Sequence, residues 1–230
     1  MSKTKSIAAI FIAAALLAPL AGCALEKDRE SQEARKLTET YPYYGDYDEK
    51  SFSHDFQQSS SFGWDPNSLE PNIAESSNIV IGKILDARSA LRPSGVPYMM
   101  VDIEIESSLF GGLSKGSQIT MITSGGRVPL KAFIGANIDR LEFFKDIPSS
   151  EIDEKILEIP PYQLFAIEAG AKCLFFVSEW GRETIYPDGS YNTWMVCDIM
   201  PDGAYRAKTS ESEIQYSQEE IIAAIAEIKK

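Results

Sequence analysis

Residues Tyr98 to Glu106 (YMMVDIEIE) constrain the fold more than any other segment, because Met99, Val101, Ile103 and Ile105 alternate with Met100, Asp102, Glu104 and Glu106. A period of two places the first set on one face of a strand and the second on the other, so one face is buried and the other meets solvent. Asn78 to Arg88 (NIVIGKILDAR) reads as a companion strand, and Gly82 within it marks a bulge or sharp bend. Gln118 to Thr123 makes a third strand, entered through the turn residues Gly111-Gly112 and Lys115-Gly116. Ala171 to Val177 (AKCLFFV) is apolar without interruption, which predicts a strand covered on both faces.

The punctuation between these segments is that of tight turns. Tyr186-Pro187-Asp188-Gly189 and Met200-Pro201-Asp202-Gly203 both place Pro at the first corner and Gly where a left-handed residue is needed. That chemistry fits a type I turn closed by a Gly bulge, with strands flanking it near 191–199 and 204–208. Ser68 to Ser77 predicts a short leading helix. Ser217 and Glu220 form a capping box before an amphipathic helix over Glu219 to Lys229, with Ile221, Ile225 and Ile228 as its apolar stripe. Residues 125–160 show no regular period and read as an irregular insert.

Several strands, a bent first strand and a terminal helix suggest a small closed barrel. The series SLEPNIAESSNIVIGKILDAR, YMMVDIEIESSLFGGLSKGSQITM and FAIEAGAKCLFF resembles a recurring pattern of secreted bacterial proteins. Those resemble OB-like barrels of the kind found in netrin modules and tissue inhibitors of metalloproteinases. The resemblance spans roughly residues 68–208 and implies a mainly β fold, an OB-like β-barrel occupying 67–230. It does not carry over the inhibitors' zinc-chelating N-terminal cysteine, since the corresponding Cys23 is separated from the barrel by a linker of some 45 residues and is itself expected to be acylated.

The N-terminus predicts how the barrel is held. Lys3 and Lys5 precede an uncharged apolar run from Ile7 to Leu17, which Pro19 ends. Such a run is too short to span a bilayer and suits a signal peptide. Leu20-Ala21-Gly22-Cys23 resembles a bacterial lipobox, which implies diacylglycerol attached to Cys23 and cleavage after Gly22. Each buried CH₂ contributes about 0.8 kcal/mol, so two acyl chains hold firmly where one does not. Residues 23–66 are rich in charge, Ser and Tyr and poor in aliphatic side chains, and read as a flexible tether. His54, the single histidine, falls on that tether.

Charge and residue types narrow the function. With 34 Asp+Glu against 22 Lys+Arg the net charge is −12, and loss of Lys3 and Lys5 with the leader deepens it to −14. A chain so acidic lacks the basic footprint that nucleic acid requires. No G-x-S-x-G, H-E-x-x-H or phosphate loop occurs, no cofactor is implied, and one histidine gives no catalytic triad. Asp102, Glu104 and Glu106 lie about 6.5–7 Å apart on one strand face, where a solvated surface or a shared Ca²⁺ are the alternatives. Glu151, Asp153, Glu154 and Glu158 read as a solvated face. Cys173 and Cys197 are either a disulfide or two buried thiols, depending on whether 180–192 is a tight hairpin or a long loop. Trp180, Tyr186, Tyr191 and Trp194 cluster around that loop, where aromatics that pack a hairpin and an aromatic platform of the kind with which OB barrels stack sugars or bases are the alternatives. The expectation is a non-enzymatic, lipid-anchored extracytoplasmic binding module whose partner is a glycan or an envelope protein. The alternatives are an envelope-assembly protein without a small ligand, or a hydrolase that would need converging carboxylates.

Overall fold

The computed structural model describes residues 40–43, 52–53, 64–92, 95–136, 147–153, 155–180, 186 and 189–230. The leader, Gly22, Cys23 and His54 lie outside the described residues. In chain order the strands are β1 (Thr40–Pro42), β2 (Phe52–Ser53), β3 (Asn78–Leu91), β4 (Pro97–Phe110), β5 (Gln118–Ser124), β6 (Gly126–Pro129), β7 (Ile156–Ile159), β8 (Lys172–Glu179), β9 (Ser190–Ile199), β10 (Tyr205–Lys208) and β11 (Glu213–Tyr216). The helices are α1 (Leu69–Glu75), α2 (Leu130–Ala136), α3 (Ser149–Ile152) and α4 (Gln218–Ile228).

Five strands close into a barrel in the order β3-β4-β5-β9-β8 and back to β3. Every pair is antiparallel except β5 with β9, which run parallel. Numbered along the chain the barrel order is first, second, third, fifth, fourth, which is the OB arrangement. The mainly β, OB-like fold expected from the sequence is therefore present, with the short leading helix and the C-terminal helix in place.

Alternation explains how the closed sheet makes two cores. Met99, Val101, Ile103 and Ile105 point into the barrel with Val80, Ile84, Met121, Phe175 and Val196. β8 is buried on both sides: Cys173, Phe175 and Val177 face the barrel interior, while Leu174 and Phe176 face outward beneath the helices. There Ile73 of α1 and Ile221 and Ile225 of α4 cover them. A strand sandwiched in this way has no polar face, hence its unbroken apolar run. Gly82 sits at a register shift between β3 and β4, the expected bulge. The Met200–Gly203 turn also forms, with Gly203 at φ 87° and Met200 N–H donating to the Ala204 carbonyl at 2.8 Å.

The capping box of α4 is complete. Ser217 Oγ accepts from the Glu220 N–H at 3.2 Å, and the Glu220 carboxylate accepts from the Ser217 N–H at 2.7 Å. The second bond holds the Glu220 carboxyl below its ordinary pKa. Replacing Ser217 with alanine removes a cap worth about 1 kcal/mol. Urea unfolding is expected to show that loss and to show most of it recovered in Ser217→Asp; equal midpoints for serine and alanine would refute the contribution.

Three expectations need correction. Residues 23–66 do not all form a tether: Thr40–Lys230 is one compact unit, and β1 pairs with β3 from Thr40↔Ala90 to Pro42↔Arg88. Tyr43 stays bound through the stacking of Arg127 on its ring at 4.8 Å, a contribution that a count of aliphatic residues overlooks. The described residues of the 125–160 insert are not irregular, since β6 and β7 pair with each other and β2 adds to β7. Val128, Leu130, Phe133, Leu157 and Ile159 give this second sheet its own small core. The chain leaves β5 for it at Gly125, at φ 87°, where a Cβ would stand 2.6 Å from the Ile159 carbonyl oxygen. Met100, expected on the solvent face, is buried beside Tyr98 and Tyr186.

Candidate functional site

Arg92, where the chain turns from β3 towards β4, and Trp180, where it leaves β8 for β9, stand on two sides of one cleft. The first turn is closed by the Arg92 N–H donating to the Val96 carbonyl at 2.9 Å. The second begins at Trp180, whose N–H donates to the Ser190 carbonyl at 2.9 Å. Between them lies a cavity of about 160 Å³, lined by Arg92, Thr123, Trp180, Tyr186, Asn192 and Trp194 among others.

Aromatic packing sets its wall. Tyr98, on β4, is 2% exposed and meets Tyr186 edge-on, with ring centroids 5.3 Å apart at 77°. Tyr186 in turn lies against Trp180, centroids 4.8 Å apart and planes inclined by 37°. Tilted and edge-on contacts of this kind are favoured by the ring quadrupoles. The Arg92 guanidinium carbon sits 5.1 Å from the Tyr186 ring centre, within cation–π range. Burial raises the Tyr186 phenol pKa, and the positive charge of Arg92 opposes that rise.

Two nitrogens in this wall are unsatisfied. Trp180 Nε1 and Arg92 Nε are buried without a hydrogen-bond partner. A buried donor left unpaired costs about 1–3 kcal/mol, a penalty the free protein already carries.

The structure brings together three of the four aromatics expected to face a ligand. Trp180, Tyr186 and Trp194 line the cleft, but as walls of a recess and not as an open platform. Tyr186 is buried, and Trp194 donates its indole N–H to Ser178 Oγ at 3.1 Å while its ring meets Trp64. Tyr191 does not join them. It packs against the barrel interior, where burial raises its phenol pKa. Arg92, Tyr98 and Asn192 were not distinguished in the sequence, because Arg92 reads as a loop residue and Tyr98 as an ordinary strand residue.

The cysteines are two buried thiols and not a disulfide. Leu174 pairs with Cys197, and Cys173 pairs with Asp198. A one-residue offset on neighbouring strands sends the two side chains to opposite faces, Cys173 to the barrel interior and Cys197 beneath the helices. Burial raises both thiol pKa values.

The carboxylates do not converge. Lys83 holds Glu104 at 3.0 Å and Lys172 holds Glu106 at 2.8 Å, while Asp102 accepts from Arg88 and from Thr120 Oγ1 at 2.7 Å. Each is matched to a base across the sheet, a pairing that no within-strand reading contains. In the insert, Asp153 pairs with Lys131 and Glu158 with Arg127; Glu154 lies outside the described residues. Asp198 was also missed: it accepts from the Ala166 N–H and from Arg206, both at 2.8 Å, and ties the segment before β8 to the barrel.

In comparisons with known proteins, no family model, no curated protein and no solved structure matches this chain.

Proposed function

We propose that this chain is an extracytoplasmic bacterial lipoprotein, anchored through acylated Cys23, whose OB-like barrel is a non-enzymatic binding module. The order of basic start, apolar run and Leu20-Ala21-Gly22-Cys23 supports the anchor. The observation that carries the binding reading is the cleft at the β3–β4 and β8–β9 connections. These are the first–second and fourth–fifth strand loops of the barrel, the pair with which OB folds hold oligosaccharides and oligonucleotides. Aromatic walls and unpaired donors sit there, and the acid excess of the chain disfavours a polyphosphate partner.

The test uses the full chain in a sugar-free detergent, displayed against a glycan panel and an envelope extract. Binding is expected, and Trp180→Ala is expected to weaken it at least about tenfold, equivalent to about 1.4 kcal/mol. In cells fed labelled palmitate, the wild-type chain is expected to take up label and Cys23→Ser to take up none. Absence of any ligand, or a ligand indifferent to Trp180→Ala, would reject the cleft; label on the serine variant would reject the anchor.

A further inference from the structure

We infer that the cleft takes a ring-shaped ligand bearing one carboxylate, of the sugar-acid class, with Arg92 holding the carboxylate and Trp180 covering an apolar ring face. The inference rests on the reading that this cleft binds a ligand, and it adds the chemistry of that ligand.

The first argument is the state of Arg92. Among the described arginines, Arg88 is paired with Asp102, Arg127 with Glu158 at 3.1 Å and Arg206 with Asp198 at 2.8 Å. Among the described residues Arg92 has no carboxylate partner; it lies over the Tyr186 ring and its side chain is hydrogen-bonded to Tyr186. Acids outnumber bases 34 to 22 in this chain, so a guanidinium without a described carboxylate partner is not explained by a shortage of acids. The second argument is the lining itself. Not one of the described residues around the cavity is Asp or Glu, although the chain as a whole carries −12. A recess whose described lining holds one planar cationic fork and no acid favours an anion with carboxylate geometry.

The donors agree. The side chains of Asn192 and Thr123, also at the cavity, are in no hydrogen bond among the described residues, which suits ring hydroxyls that both donate and accept. One cation among the described lining residues matches a single negative charge, and the strongly negative molecule repels a polyanion. A peptide carboxylate would satisfy Arg92 but leaves the aromatic wall without a ring to cover, so the sugar acid is favoured.

The experiment is isothermal titration of the full chain with the methyl glycosides of glucuronate, galacturonate and mannuronate, each beside its methyl ester. The ester keeps the ring and removes the charge. At least one acid is expected to bind about 10- to 100-fold more tightly than its ester, the range for a hydrogen-bonded charge. Arg92→Gln is expected to erase that preference, Arg92→Lys to restore only part of it, and Trp180→Ala to weaken acid and ester alike. Thermal melts of each variant establish that the barrel is intact. Equal affinity for acid and ester, or a preference that survives Arg92→Gln, would overturn the carboxylate assignment while leaving the cleft as a neutral-sugar site. Binding of a free-carboxylate peptide over its amidated form, with all three sugar acids silent, would overturn the sugar class. Silence towards sugars and peptides alike would overturn the cleft reading as well.

Discussion

Replacing Phe175 with alanine is expected to lower the unfolding free energy by about 3–5 kcal/mol, the range for removing a fully buried aromatic side chain. Phe175 is 0% exposed and fills the barrel interior between Val80 on β3 and Val196 on β9. Its loss removes apolar burial and leaves a cavity that a closed sheet is poorly able to collapse, because each strand is fixed by two neighbours. For a unit of this size each kcal/mol moves the melting temperature by about 2–4 °C. Thermal and urea unfolding of the full chain read the effect, and Phe175→Leu is expected to lose distinctly less. A loss below about 1 kcal/mol would mean that the barrel is not closed around this ring.

Gly82→Ala is the second large effect, and it acts through one identifiable contact. A Cβ at Gly82 would stand 2.4 Å from Ile103 Cγ2, 3.2 Å from the Glu104 carbonyl oxygen and 3.4 Å from Phe175 Cε2. Ile103 is buried and β-branched, so its γ2 methyl has little room to retreat. Overpacking of this kind costs about 1–3 kcal/mol, even after the roughly 0.4–1 kcal/mol alanine gains by restricting the unfolded chain. Leucine lacks the γ2 methyl, so adding Ile103→Leu is expected to recover part of the loss. A double-mutant cycle measures that coupling. Strict additivity of the two substitutions would show that the steric account is wrong.

The candidate site was only partly legible in the sequence. Trp180, Tyr186 and Trp194 lie close together along the chain, and local spacing was enough to group them. Tyr191 belonged to the same cluster by spacing, yet it faces the barrel interior, because neighbouring side chains on a strand point to opposite sides. Arg92 lies 88 positions before Trp180, and only barrel closure brings the two to one cavity. The carboxylates show the same gap. Asp102, Glu104 and Glu106 share a strand face as read, but the bases that neutralise them come from β3 and β8.

The cysteines mark the boundary between the two kinds of information. Both thiols fall on apolar strands, and their burial follows from sequence. Whether they can bond depends on inter-strand register, which a single residue of slip reverses. The same division runs through the molecule. Strand identity at Asn78–Leu91, Pro97–Phe110 and Lys172–Glu179, the bulge at Gly82 and the cap at Ser217 were set locally, by periodicity, backbone sterics and capping chemistry. The pairing of Thr40–Pro42 with β3, the second sheet built from the insert, and the meeting of Arg92 with Tyr186 and Trp180 were decided by tertiary structure alone. Those contacts join segments far apart in the chain, and short-range preference carries no information about which distant surface a strand or side chain will meet.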